Sequence, residues 1–172
     1  ATHCSLREAI NAANNATSMD AILFNISTTD PGYVSTTEHW SIQPSSGLPT
    51  ITDPVVIDGY TQLGATPASS STAAALKIEL SGTNAGGGQM GLDITAGSST
   101  VTGLVVNGYA GHYGIRLASS GSNRIEGNYI GTDVTGTAPR GNNSGLGIEG
   151  SQGNVVGGTT PAQRNIISGN ID

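Results

Sequence analysis

Charge is scarce in this chain. Asp, Glu, Lys and Arg make up 10% of its 172 residues, against roughly a quarter in an average domain, so hydroxyls and amides must solvate most of the surface. The six basic residues (Arg7, Lys77, Arg116, Arg124, Arg140 and Arg164) are dispersed, and the net charge is −6. No basic patch exists to neutralise phosphates, which excludes nucleic acid as a partner. No apolar run approaches the roughly 18 residues of a membrane span. A single cysteine, Cys4, rules out an internal disulfide. It reads as a small buried hydrophobe beneath the first helix, with an intermolecular disulfide or a reactive thiol as the alternative. Aromatics are only 4% of the chain. His3, His39 and His112 have no metal-ligand spacing, and GxSxG, P-loop and GGxGxD patterns are missing. No cofactor or metal is expected. The chain begins at Ala1 with no Met and no visible signal peptide, which fits either a processed secreted protein or a trimmed one.

What is abundant is Gly, at 26 residues, together with Ser, Thr and Asn. Val, Ile and Leu return regularly in VVIDG, KIEL, LDIT, VTGLVV and NRIEGNYI, so the composition is not that of a disordered chain. The first stretch, ATHCSLREAINAANN, differs from the rest. Ser5-Leu6-Arg7-Glu8 has capping-box spacing, and Cys4 and Ala9 sit where a hydrophobic staple would close. Leu6, Ala9, Ile10 and Ala13 form one apolar stripe. Asn14-Asn15 is the expected stop, because Asn tolerates the left-handed conformation. A helix of about three turns is unstable alone and must lie on something.

From Gly91 onward a motif recurs as GLDITAGSSTVTGLVV, GIRLASSGSNRIEGNYI and GLGIEGSQGNVVGG, with a partial copy in RNIISGNID. The step from Gly91 to Gly114 lies in the period range of solenoids. The stretch 131–143 delays the third copy and reads as an inserted loop. Each copy holds short strands of hydrophobic period two. Stacking them places Ile94, Leu117 and Ile148 in one inward ladder, Val101, Ile125 and Val155 in another, and Val106, Ile130 and Ile167 in a third. Asn107, Asn128 and Asn170 follow the Gly step and are expected to stack as a side-chain ladder. The expected fold is therefore an all-β parallel β-helix, a solenoid, with a short N-terminal capping α-helix. Residues 1–52 form the helix cap and an irregular first coil, and residues 53–172 form the coils, with TQLGATPASSSTAAA (61–75) as a low-complexity loop. RNIISGNID carries no capping pattern, so the C-terminal end is expected to be uncapped.

At CSLREAINAAN, TDPVVIDGYTQLGA, NRIEGNYIGTDVTGT and GGTTPAQRNIISGN the chain resembles the CSLREA-type right-handed parallel β-helix proteins of bacteria, over nearly its whole length. The resemblance implies right-handed winding and an extracellular or cell-surface location. It implies no reaction.

Hydrolases acting on glycans need two carboxylates about 5–9.5 Å apart. The acidic residues Asp53, Asp58, Glu79, Asp93, Glu126, Asp133 and Glu149 instead stand singly. Asp93 and Arg116 occupy similar places in successive coils, about 4.8 Å apart if stacked, with Glu149 one coil further. They read as a surface ion ladder, or as glycan contacts together with Tyr109 and Tyr113. Asn15, Asn25 and Asn142 match the glycosylation sequon, the last in an exposed loop. The expected function is non-catalytic and structural: head-to-tail stacking into a fibre or scaffold, through Cys4, Ser5, Leu6, Glu8 and Ile10 at one end and Ile166, Ile167, Asn170 and Ile171 at the other. Its partners are then copies of itself, with extracellular polysaccharide as a further candidate. The alternatives are the N-terminal part of a longer glycan-binding adhesin or stalk, and a polysaccharide lyase or hydrolase.

Overall fold

The computed structural model describes residues 4–16 and 18–172; His3 and Thr17 lie outside them. Ser5 opens α1 (Leu6–Asn14), and both arms of the capping box form. The Glu8 N–H donates to the Ser5 hydroxyl at 3.2 Å, and the Ser5 N–H donates to the Glu8 carboxylate at 2.7 Å. Such a cap contributes about 1 kcal/mol. Those bonds from Ser5 hold the Glu8 carboxyl below its ordinary pKa. Leu6, Ile10 and Ala13 are buried. The helix stops at Asn14, but Asn15 closes it in the right-handed conformation, φ −102° and ψ −2°, not the left-handed one expected. Cys4 is exposed, which corrects its placement beneath the helix. It precedes α1 on the lip of a surface cleft.

The chain then makes repeated circuits, each laying short strands into separate sheets. The first circuit carries β1 (Asp20–Leu23), β2 (Tyr33–Val34) and β3 (His39–Ile42). The second carries β4 (Val55–Asp58), β5 (Ile78–Ser81) and β6 (Leu92–Ile94). The third carries β7 (Thr100–Thr102), β8 (Leu104–Asn107) and β9 (Tyr113–Ala118), and the fourth β10 (Arg124–Glu126), β11 (Tyr129–Ile130) and β12 (Ser144–Glu149). β13 (Val155–Val156) and β14 (Ile166–Ile167) follow. The first sheet runs β1-β4-β7-β10-β13, the second β2-β3-β5-β8-β11-β14 and the third β6-β9-β12. Every ladder is parallel except β2–β3.

Register builds the core from columns of equivalent residues. Ile94, Leu117 and Ile148 align, as do Leu80, Val106, Ile130 and Ile167. In the first sheet Ile57, Val101 and Ile125 continue to Val156 rather than Val155. The strands stay short because the chain must turn between sheets. Gly103 and Gly127 do this at φ +72° and +70°, a region costly for side chains, and a Cβ on Gly103 would stand 2.7 Å from the Tyr60 nitrogen. Both long loops pack on the outer face of the second sheet. Leu76, Val105 and Tyr129 form a small cluster there with Tyr60, Ala74, Val134 and Ile166, and the Tyr129 hydroxyl donates to the Ala74 carbonyl at 3.2 Å.

This arrangement corrects the all-β, right-handed parallel β-helix solenoid expected from the repeats. A uniform stack of equivalent coils would give sheets of equal size and wholly parallel pairing. The sheets instead have five, six and three strands, one pair is antiparallel, and α1 supplies Leu6, Ile10 and Ala13 to the main core. The fold is of α/β type: three mostly parallel sheets and one helix. The physical reason lies in the early chain. A period of about 23 residues is legible only after Gly91, and before it the third sheet has only an isolated bridge from Ile51 to Ile94.

Candidate functional site

The far end of the molecule, made by β12, β13 and β14, is built on a device repeated at three corners. One residue before β10, β11 and β12's leading turn stand Asn123, Asn128 and Asn142, all with no exposed surface. Each carboxamide oxygen accepts from a backbone N–H of the preceding circuit: Ser99 to Asn123 at 2.9 Å, Leu104 to Asn128 at 2.9 Å and Tyr109 to Asn142 at 3.1 Å. The next circuit repeats it. The N–H groups of Asn123, Asn128 and Asn142 donate to the side-chain oxygens of Asn154, Asn165 and Asn170 at 2.9, 2.9 and 3.1 Å. At the second and third corners the carboxamide nitrogen also reaches back a circuit: Asn128 to the Val101 carbonyl, Asn165 to Ile125, Asn142 to Val106 and Asn170 to Ile130. Asn satisfies a donor and an acceptor at once, which a buried turn between parallel strands requires. The N–H groups of Asn154, Asn165 and Asn170 have no acceptor among the described residues.

These pairs revise the ladder expected from Asn107, Asn128 and Asn170. Asn128 and Asn170 belong to different corners. Asn107 belongs to neither, and instead donates to the Glu79 carboxylate at 2.8 Å and to the Thr132 carbonyl at 3.0 Å.

Exposed apolar side chains gather on the terminal strands. Ile148 is 49% exposed, Ile167 44% and Ile171 71%, with Val155 and Val156 beside them. Ile166 is half-buried against the outer cluster of the second sheet. At the opposite, near end, Met19 and Leu23 are exposed, and a cleft of about 1160 Å³ opens beside α1, with Phe24, Ile26, Val34 and Ile42 in its wall. Leu6 and Ile10, expected at an assembly junction or beneath the helix, are buried beneath it.

On the third sheet the expected ion ladder forms. Arg116 donates to Asp93 at 3.0 Å and grips Glu149 through two nitrogens at 2.9 and 2.8 Å. Arg116, and then the Tyr113 hydroxyl, hold the Glu149 carboxyl below its ordinary pKa. One guanidinium thus bridges both carboxylates, and Glu149, held in its charged form, is ill suited to carry the proton a general acid needs. The Tyr113 ring lies over Gly147, where a Cβ would come within 2.7 Å of it, and the His112 ring stands 4.9 Å away. Tyr109 is not on this face. It is 2% exposed, wedged beneath Gly82 and Gly91 with burial raising its phenol pKa, so it cannot stack on a sugar as the sequence suggested.

The Asn142 sequon is likewise corrected. Its side-chain nitrogen is spent inside the corner, because the insertion loop folds back and returns the chain to the core at that residue. Asn25 is exposed beside the near-end cleft. Asn15 is exposed with its amide nitrogen on the Asn11 carbonyl at 2.6 Å, and Thr17 of its sequon lies outside the described residues.

Sequence reasoning missed one cluster. His39 and Glu79 are nearly buried, 3.4 Å apart, and the His39 Nδ1 meets the Thr37 hydroxyl at 2.7 Å. Burial alone would raise the Glu79 pKa. Hydrogen bonds from His39, Ser41 and Asn107 outweigh it and bring the carboxyl down to about 2. The partners come from three circuits with irregular loops between them, so no local spacing announces the cluster. Among the described residues no three His, Cys, Asp or Glu side chains gather as a metal site would need, and no helix is long and apolar enough to cross a membrane. No family model matches the chain, and neither does any curated protein or solved structure.

Proposed function

We propose that the chain is a non-catalytic structural unit that builds a scaffold by taking further polypeptide onto its far end. The observation that carries this reading is the distribution of exposed apolar residues. Apart from Leu63, the large ones lie on or beside the first and last strands, leaving the flanks of the molecule polar. Fully burying a side chain of that size contributes about 1.5–3 kcal/mol, so covering Ile148, Val156, Ile167 and Ile171 is a substantial driving force. Unpaired strand edges at the same end add backbone donors and acceptors to be satisfied. The Asp93–Arg116–Glu149 strip, in which one guanidinium bridges both carboxylates, supports the non-catalytic part.

In the purified chain the only polypeptide on offer is another copy, so the reading predicts self-association that begins at the far end. A head-to-tail contact of this kind is heterologous and grows into open fibres. Sedimentation velocity over a wide concentration range, with electron microscopy of the associated material, tests it. The expected result is concentration-dependent association that disappears in an Ile148→Glu, Ile167→Glu double variant with unchanged circular dichroism. A wild-type chain that stays monomeric at its highest soluble concentration overturns the reading.

A further inference from the structure

We propose that the far end selects its partner by chemistry as well as by apolar contact: its occupant is a polypeptide circuit carrying Asn at three corners, in the minimal spacing Asn-x4-Asn-x4-Asn. This rests on the far end being an assembly face, and it names what that face recognises.

The corner device forms two complete layers. In both, three backbone N–H groups of one circuit point at three carboxamide oxygens of the next. The receiving residues Ser99, Leu104 and Tyr109 stand five apart, as do Asn123 and Asn128, and Asn165 and Asn170. Where the spacing is longer, a loop has been inserted. The stretch 131–143 separates Asn128 from Asn142, and a short 3-10 turn, Pro161–Gln163, separates Asn154 from Asn165. Five is therefore the bare corner-to-corner step. Asn154, Asn165 and Asn170 present the next triad of N–H groups in the same places, beside the free edges of β12, β13 and β14. An apolar surface alone would satisfy Ile148, Val156 and Ile167 and leave three amides desolvated without acceptors, which is costly.

A second copy stacked by its near end meets this face only in part: the Asp20 carboxylate can accept at the first corner, but the second corner offers no acceptor side chain. Register carries the first corner from Asn123 through Ser99 and Val55 to Asp20, and the second from Asn128 through Leu104 and Ile78 to Trp40. An indole offers a donor and no acceptor, and the Trp40 Nε1 is already committed to the Ser27 carbonyl at 2.9 Å. A circuit with three carboxamides fits the whole triad, where a copy of the near end fits it in part and so stacks more weakly.

The test uses the full chain and a fluorescent synthetic peptide of residues 120–149, which contains Asn123, Asn128 and Asn142, beside a peptide with all three changed to Ala. Binding is read by polarisation, and residue-resolved hydrogen exchange locates it. The expected result is that the Asn peptide binds at least about 100-fold more tightly than the Ala peptide, since three buried donors lose their acceptors, and that it slows exchange at Asn154, Asn165 and Asn170. Equal binding by the two peptides, no binding by either, or protection confined to other amides overturns the proposal. Sedimentation of the chain alone separates the two failures. Self-association without peptide discrimination removes the corner selection and leaves the assembly reading standing. Discrimination without self-association does the reverse for stacking of copies.

Discussion

Replacing Asn128 by Ala removes the middle member of the second corner and leaves the backbone otherwise intact. Its oxygen accepts from the Leu104 N–H, and its nitrogen donates to the Val101 and Glu126 carbonyls and to the Asn165 side chain. Leu104 and Asn128 are buried, so no water reaches the groups left behind without rearrangement. Each stranded buried polar group costs about 1–3 kcal/mol. With the Leu104 donor stranded and the Val101 carbonyl losing one of its partners, the expected loss is roughly 2–4 kcal/mol. In a chain of this size that lowers Tm by roughly 4–16 °C. Urea unfolding followed by circular dichroism measures it directly. The Asn128→Asp variant sharpens the test: it keeps an acceptor but loses the donors and buries a charge, so at pH 7 it is expected to be no better than Ala and to recover partly as the carboxyl is protonated. A loss below about 1 kcal/mol for Asn128→Ala would refute the claim that corner carboxamides hold successive circuits together.

The Glu79 carboxyl lies far below its unfolded value, at about 2, so its contribution is fully present above about pH 4.5 and is lost as pH falls towards 2. Glu79→Gln is accordingly expected to destabilise the chain by roughly 3 kcal/mol at neutral pH and to flatten the acid limb of a stability-versus-pH curve, read by urea midpoints between pH 2 and 6. Leu117, at the centre of the Ile94–Leu117–Ile148 column and fully buried, should cost about 2–5 kcal/mol when changed to Ala, measured in the same unfolding assay. Cys4 is exposed, so a thiol reagent should modify it in the native chain at a rate close to that in denaturant; slow native labelling would place it back beneath the helix.

What could be read from the sequence was what depends on local spacing or on a clean repeat. Ser5 and Glu8 announce their capping box because three residues separate them. Ile94, Leu117 and Ile148 align as expected because no insertion falls between β6 and β9, and the one before β12 could be seen. Asp93, Arg116 and Glu149 follow from the same alignment. The misplacements occur where spacing slips by one or by a loop. Val155 and Val156 exchange roles, and Asn170 pairs with Asn142 because 131–143 lengthens one corner and 157–164 another. Burial was less legible than position: Cys4, Tyr109 and Asn142 each carry a side chain whose exposure depends on what a distant circuit lays over it. The uniform all-β solenoid failed for a related reason. The late repeats speak for the middle of the stack, while α1, the β2–β3 pair and the lone Ile51 bridge that stands in for a third-sheet strand belong to an early chain that has no period to read.

Residue-resolved hydrogen exchange of the dilute chain tests the corner device most directly. The account predicts slow exchange at Leu104, Asn123 and Asn128, whose N–H groups each meet an Asn carboxamide, and fast exchange at Asn154, Asn165 and Asn170, which meet none among the described residues. Similar protection at both sets of amides would contradict it.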